Sequence, residues 1–184
     1  LLPITLITLV FIFVKKKISQ PLKFDIPIIC VGNIYLGGTG KTPTSILLAQ
    51  ELSSKGKKTA ILRKFYRNHT DEHELIKTSF RDLILDENRV NGIRKAQEIG
   101  YDYIILDDGF QDHKIIKNFN IICFNQTQKI GNGLVIPAGP LRQNLRSLKN
   151  CDMILLNGTK DVNFEKKLRE VNNKLDFIYY KYLS

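Results

Sequence analysis

The run Gly37-Gly38-Thr39-Gly40-Lys41-Thr42 is where this chain most openly carries chemistry. Glycines let a backbone curl until several N–H groups point at one anion. A helix starting at the lysine adds the positive end of its dipole. The Lys41 ammonium can then reach β- and γ-phosphates, and the Thr42 hydroxyl can ligate Mg²⁺. An apolar run, Ile26 to Val31, comes before, and a helical pattern with Ile46, Leu47, Ala49 and Leu52 comes after. Strand, loop and helix in that order are the context of a phosphate-binding loop, so a nucleoside triphosphate site is expected here. The full pattern would place glycine where Tyr35 stands.

Such a loop needs an acid for its metal. Asp107 and Asp108 close the apolar run Ile104-Ile105-Leu106, as a strand-end metal acid should. Strand neighbours point opposite ways, so one of the two is expected to face the metal. Asp71 sits in a polar stretch, Asn68 to Glu74, that reads as a loop. It could serve as a base for a hydroxyl or be an ordinary solvated acid, and the flanking His69 and His73 read as surface residues.

The elements that must hold these groups alternate. Strands are expected at Ile26 to Val31, Thr59 to Leu62, Leu83 to Leu85, Tyr101 to Leu106, Asn120 to Phe124, Met153 to Leu156 and Phe177 to Tyr182. Helices are expected at Thr42 to Ser54, Arg89 to Ile99 and Phe164 to Lys174, with Gly56 and Gly100 as stops. Alternation of this kind predicts an α/β fold of the P-loop NTPase type, a mainly parallel sheet flanked by helices, with ligands at the carboxyl ends of strands.

The 184 residues, 43% hydrophobic and 25% charged, suffice for a globular core. Cys30, Cys123 and Cys151 lack any metal or redox spacing and read as buried reduced thiols. The net charge of +10 favours an anionic partner. Residues 1–14 are nearly all apolar, and Lys15-Lys16-Lys17 follow. As a helix they would span about 21 Å, short of the ~30 Å hydrocarbon core. The charge order is the reverse of a signal peptide's. Residues 1–20 therefore read as a membrane-associated helix with its lysines at the headgroups, or as a buried helix of the domain, and residues 21–184 as the nucleotide-binding domain.

Three motifs occur in order: the glycine-rich loop, Asp107-Asp108-Gly109-Phe110-Gln111, and Pro137-Ala138-Gly139-Pro140-Leu141-Arg142. With Val31-Gly32-Asn33, Thr42-Pro43 and Gly131-Asn132-Gly133, the stretch from Pro21 to Gly158 resembles the tetraacyldisaccharide 4'-kinases of lipid A biosynthesis. The resemblance implies transfer of the γ-phosphoryl of ATP, with Mg²⁺, to the 4'-hydroxyl of a tetraacyldisaccharide 1-phosphate, forming lipid IVA. It implies an enzyme at the cytoplasmic face of the inner membrane, bound to the membrane surface and to the lipid A disaccharide precursor; a monomer is expected. Carried over by motif, Gly37, Gly38, Thr39, Gly40, Lys41 and Thr42 hold the nucleotide, and Thr42, Asp107 and Glu72 the metal. Asp71, Lys41, Asp108 and Arg89 take catalytic parts, with Asp71 the base and Arg89 near the phosphates. Gln111 and Arg142 position substrate. Departures are Thr70 for a glycine before Asp71-Glu72, and Arg63-Lys64-Phe65-Tyr66 where the family has Arg-Gly-Tyr and a longer loop. Asp112 stands where the family has histidine, with His113 next. The family extends past residue 184 into a smaller C-terminal domain, whose histidine pairs with the catalytic aspartate.

Other classes fit less well. A soluble small-metabolite kinase leaves the apolar N-terminus unexplained. A P-loop ATPase stays open, while a GTPase would show Asn-Lys-x-Asp, which is absent. Nucleic-acid binding is not expected, because the basic residues are dispersed and no recognised module occurs.

Overall fold

A computed structural model describes residues 1–66 and 70–181, including all their side chains except those at 15, 16 and 70–72. The elements in chain order are α1 (Leu2–Ile18), β1 (Ile28–Gly32), α2 (Lys41–Ser54), β2 (Thr59–Lys64), α3 (Thr70–Ser79), β3 (Leu83–Asp86) and α4 (Arg89–Ile99). There follow β4 (Tyr103–Asp107), β5 (Phe119–Asn125), a 3₁₀ turn at Leu145–Asn150, β6 (Met153–Asn157), α5 (Val162–Arg169) and β7 (Asp176–Tyr180). They fall into two compact units.

One unit comprises Pro21–Gly32 and Lys41–Phe119. Its strands run in the order β3-β2-β4-β1, every neighbouring pair parallel. Because helices cover such a sheet, its strands read as unbroken apolar runs. Ile28, Cys30, Ala60, Ile61, Leu62, Ile104, Ile105 and Leu106 are all fully buried. Helix α2 packs on β1, β2 and β4, and α4 on β2 and β3. Asn88 caps α4 by accepting the Val90 N–H at 3.0 Å, and Gly100 ends it in the left-handed region at φ 79°.

The other unit comprises Leu1–Gln20, Asn33–Gly40 and the chain from Asn120 on. Its strands run β5-β6-β7, again parallel. Helix α5 contributes Phe164 and Leu168 to this core, and the Phe164 ring meets Phe124 edge-on at 5.4 Å. Helix α1 leaves Leu2, Leu6, Phe11 and Phe13 exposed and buries Thr5. The Thr5 hydroxyl accepts the Ala138 N–H at 3.1 Å. Among the described residues no helix is long and apolar enough to cross a membrane.

Four expectations need correction. In the stretch read as a loop around Asp71, the chain from Thr70 to Glu74 is the first half of α3. His73 and Ile76, three apart, both point inward, so the buried stripe includes a histidine and escapes an apolar count. His73 is thus not a surface residue: it is 5% exposed and stacks on Phe65 with centroids 5.6 Å apart. His69 lies outside the described residues. Helix α5 stops at Arg169, short of Lys174. There Asn172 donates its amide to Leu148 O and Cys151 O at 3.0 and 2.9 Å, while its side-chain oxygen accepts the Lys174 N–H, forming a turn that competes with the helix. Strand β2 continues two residues past Leu62.

Candidate functional site

Strand β1 ends at Gly32, where an added Cβ would lie 2.6 Å from Phe110 Cβ. The loop that follows is shaped by its own residues. Asn33 is fully buried, and its amide donates to Gly37 O at 3.3 Å and to Thr39 Oγ1 at 3.0 Å. Gly37 and Gly40 have φ of 121° and 83°, where a side chain would be strained. At Tyr35 the glycine of the full pattern is not needed. Its backbone bridges to Leu141, flanked by Leu36 N–H to Pro140 O at 2.9 Å and Arg142 N–H to Ile34 O at 2.8 Å. Pro137 to Arg142, with its cis Ile136–Pro137 bond, is therefore the brace of the glycine-rich loop.

Lys41 and Thr42 open α2 in the other unit and meet the strand-end acids there. Lys41 Nζ lies 3.9 Å from Asp108 Oδ1. Asp107 is fully buried, and both its oxygens are engaged. Ser45 Oγ donates to Oδ1 at 2.9 Å, and Thr42 Oγ1 donates to Oδ2 at 3.3 Å. Arg63 forms a buried ion pair with Oδ2 and also donates to Thr42 Oγ1 at 3.2 Å. Strand register produces this cluster, because Arg63 pairs with Asp107 across β2 and β4 while Val31 pairs with it on the other side. Asp108 leaves the strand with φ of 55° and turns its side chain toward Lys41.

Arg89, the first residue of α4, is buried behind Asp108. Its Nη2 donates to Asp108 O at 2.8 Å and its Nη1 to Asp112 Oδ2 at 3.4 Å, which fixes the turn carrying the acid. Lys117 donates to Asp112 O. Burial pulls the Lys117 pKa down, against the opposing pull of Cys30 and Asp112. Burial pushes the Cys30 thiol up to about 12.

Lys41, Thr42, Asp107, Asp108 and Arg89 are thus gathered in one unit, with Gln111 on the same turn as Asp108. Gly37 to Gly40 and Arg142 belong to the other unit. The side chains of Asp71 and Glu72 lie outside the described residues. In the sequence Arg63 and Asp112 stood out only as parts of departures from the family pattern, and Ser45 and Lys117 not at all. Ser45 had a signal, three residues past Thr42 on the same helix face.

The family model of tetraacyldisaccharide-1-P 4'-kinase matches residues 1–181. The chain belongs to this family. A tetraacyldisaccharide 4'-kinase of Pelagibacter ubique (strain HTCC1062) is 36% identical over 172 residues, covering 91% of this chain and 54% of its own length. One from Jannaschia sp. (strain CCS1) is 38% identical over 158 residues, covering 77% of this chain and 48% of its own. The chain spans about half the length of the curated relatives it matches. The crystal structure of LpxK from Aquifex aeolicus in complex with ATP matches with a TM-score of 0.73 and 23% identity, over 100% of this chain and 61% of that one. That likeness bears on the fold, which is of the P-loop kind expected of this family.

Proposed function

We propose that this chain carries the ATP half of a kinase that phosphorylates the 4'-hydroxyl of a tetraacyldisaccharide 1-phosphate, yielding lipid IVA. The observation that carries the reading is Lys41, Thr42, Asp107 and Asp108 gathered at the start of α2, in a member of this family. Lys41 would meet the β- and γ-phosphates, and the N–H groups of the loop from Gly37 would cradle them. A hard cation fits the donor set, since the Thr42 hydroxyl and Asp107 carboxylate are oxygen ligands. Among the described residues no trio of His, Cys, Asp or Glu could hold a metal unaided. Phosphate oxygens and water would complete the shell, as is usual for Mg²⁺. Bound there, Mg²⁺ neutralises charge on the phosphates.

The remaining assignments are part of the same proposal. Asp71 takes the proton of the sugar hydroxyl, Glu72 supports the metal, and Gln111 and Arg142 position substrate. Arg89 acts from behind Asp108, through the turn it clamps. Residues 1–20 sit on the cytoplasmic face of the inner membrane, residues 21–184 form the kinase portion, and the protein is a monomer without a nucleic-acid partner.

The test is transfer of label from γ-labelled ATP to the disaccharide 1-phosphate, read as labelled lipid. Labelled lipid that depends on Lys41 and Asp107 supports the reading. Hydrolysis of ATP with no lipid product, by the complete protein, would overturn it in favour of a P-loop ATPase.

A further inference from the structure

We infer that the Arg63 guanidinium is a resident stand-in for the divalent cation of this site. It holds Thr42 and Asp107 in place while metal is absent and gives way when metal binds. The inference rests on the metal reading of Thr42 and Asp107 given above.

Arg63 Nη1 donates both to Thr42 Oγ1, at 3.2 Å, and to Asp107 Oδ2. Those two oxygens lie 3.3 Å from each other. One cationic nitrogen therefore touches both protein oxygens that the metal would use. The chain has reason to keep a cation there. Asp107 is fully buried, and a buried carboxylate without a partner is strongly unfavourable. A guanidinium suits the task because it stays charged at every physiological pH and its planar fork can reach two acceptors. The arrangement is set by the backbone, since Arg63 and Asp107 are register partners in adjacent parallel strands.

The same geometry makes occupancy exclusive. Two cations cannot share Oδ2 at contact distance in a buried site without strong repulsion. Ser45 remains on the other oxygen, Oδ1, at 2.9 Å, so the carboxylate keeps its orientation when Arg63 leaves. Arg63 is thus a positioning residue acting through Asp107 and Thr42, and its presence must weaken metal binding. By linkage, removing it must strengthen metal binding.

The experiment titrates Mg²⁺ into the protein with a non-hydrolysable ATP analogue and reads the Mg²⁺ midpoint for tightening of analogue binding. Arg63→Gln is expected to lower that midpoint about tenfold, within the usual range of coupling between two ligands. Its melting temperature should fall in chelator and recover more with Mg²⁺ than the wild type's does. Arg63→Lys, which keeps the charge, should hold the midpoint near wild type. An unchanged or raised midpoint in Arg63→Gln overturns the inference, because a merely structural arginine would lower stability equally with and without metal. Should Arg63→Gln not fold, the unaltered chain still decides through its arginine side-chain nitrogen resonances, with the Arg63 signal assigned from its loss in Arg63→Lys. The Nη signals of Arg63, held distinct by the ion pair, should merge when Mg²⁺ is added to the analogue-bound protein. Signals that stay distinct overturn the inference. Analogue binding with no Mg²⁺ dependence in the wild type would remove the metal reading itself, and the inference with it. Mg²⁺ dependence shared equally by wild type and variant sinks the Arg63 role alone.

Discussion

Asp107 and Lys41 sit close together in the chain of contacts, yet losing each has different consequences. Asp107→Ala leaves Arg63, 7% exposed, without its buried counter-charge. Breaking a buried pair from one side costs about 3–5 kcal/mol. Lys41 lies 3.9 Å from Asp108, beyond hydrogen-bond length, so Lys41→Ala is expected to cost less stability than Asp107→Ala. On the proposed function, its effect should fall on phosphoryl transfer, lowering it about 10²–10³-fold as for other lost electrostatic stabilisers. Urea unfolding of both variants, beside labelled-lipid formation by Lys41→Ala, checks the contrast. Equal stability losses would count against it. Cys30 offers a second test at this scale. Burial raises its pKa from 9.0 to about 12. The folded chain holds a proton that the unfolded chain releases above pH 9.0, so this contribution is whole below that pH and is lost as pH rises toward about 12. Lys117, shifted the opposite way, works against it in the same alkaline range. Cys30→Ala should flatten the alkaline fall of stability measured by urea unfolding from pH 8 to 11, and an unaltered slope would discount the thiol.

Between elements, α4 lies close against β2. An added Cβ at Gly92 would lie 2.5 Å from Leu62 Cδ1 and 3.4 Å from Asp86 Cβ. Leu62 is fully buried, so its methyl has little room to retreat. Overpacking of this kind costs about 1–3 kcal/mol, while alanine in place of glycine returns about 1 kcal/mol of helix propensity. Gly92→Ala is therefore expected to lose about 0–2 kcal/mol net in thermal unfolding; a gain would mean α4 can slide off β2 at no cost. The elements also explain what the sequence could and could not disclose. Arg89 to Ile99 was legible because Gly100 marks its end, its backbone free to take the left-handed turn that stops α4. The phosphate loop and Asp107 were legible because glycines and a strand-end acid have few other uses in that order. Arg63 was not, since a charged residue after Ile61-Leu62 reads as the strand's end, and only pairing with Asp107 in β4 makes it buried. His73 hid α3 in the same way. Tertiary contact fills both positions with polar groups that a count of apolar residues cannot register.

For the molecule as a whole, two signals point the same way: a net charge of +10 and an apolar helix whose described side chains are mostly exposed. Leu2, Leu6, Phe11, Phe13 and Ile18 of α1 are each more than 60% exposed. The helix has 17 residues, about 26 Å at 1.5 Å per residue, and does not qualify as a span. A helix of this kind can lie in the interface, where apolar burial and attraction to anionic headgroups add. The two contributions separate in a vesicle experiment. Binding should be tighter to vesicles containing anionic phospholipid than to neutral ones, and salt should weaken only the anionic case, because screening acts on charge and not on apolar burial. Replacing Phe11 and Phe13 together by serine should weaken binding to both kinds of vesicle and leave the unfolding midpoint in solution unchanged, since neither ring is buried in the protein. Vesicle binding that ignored both salt and the double substitution would mean that α1 is not the contacting surface.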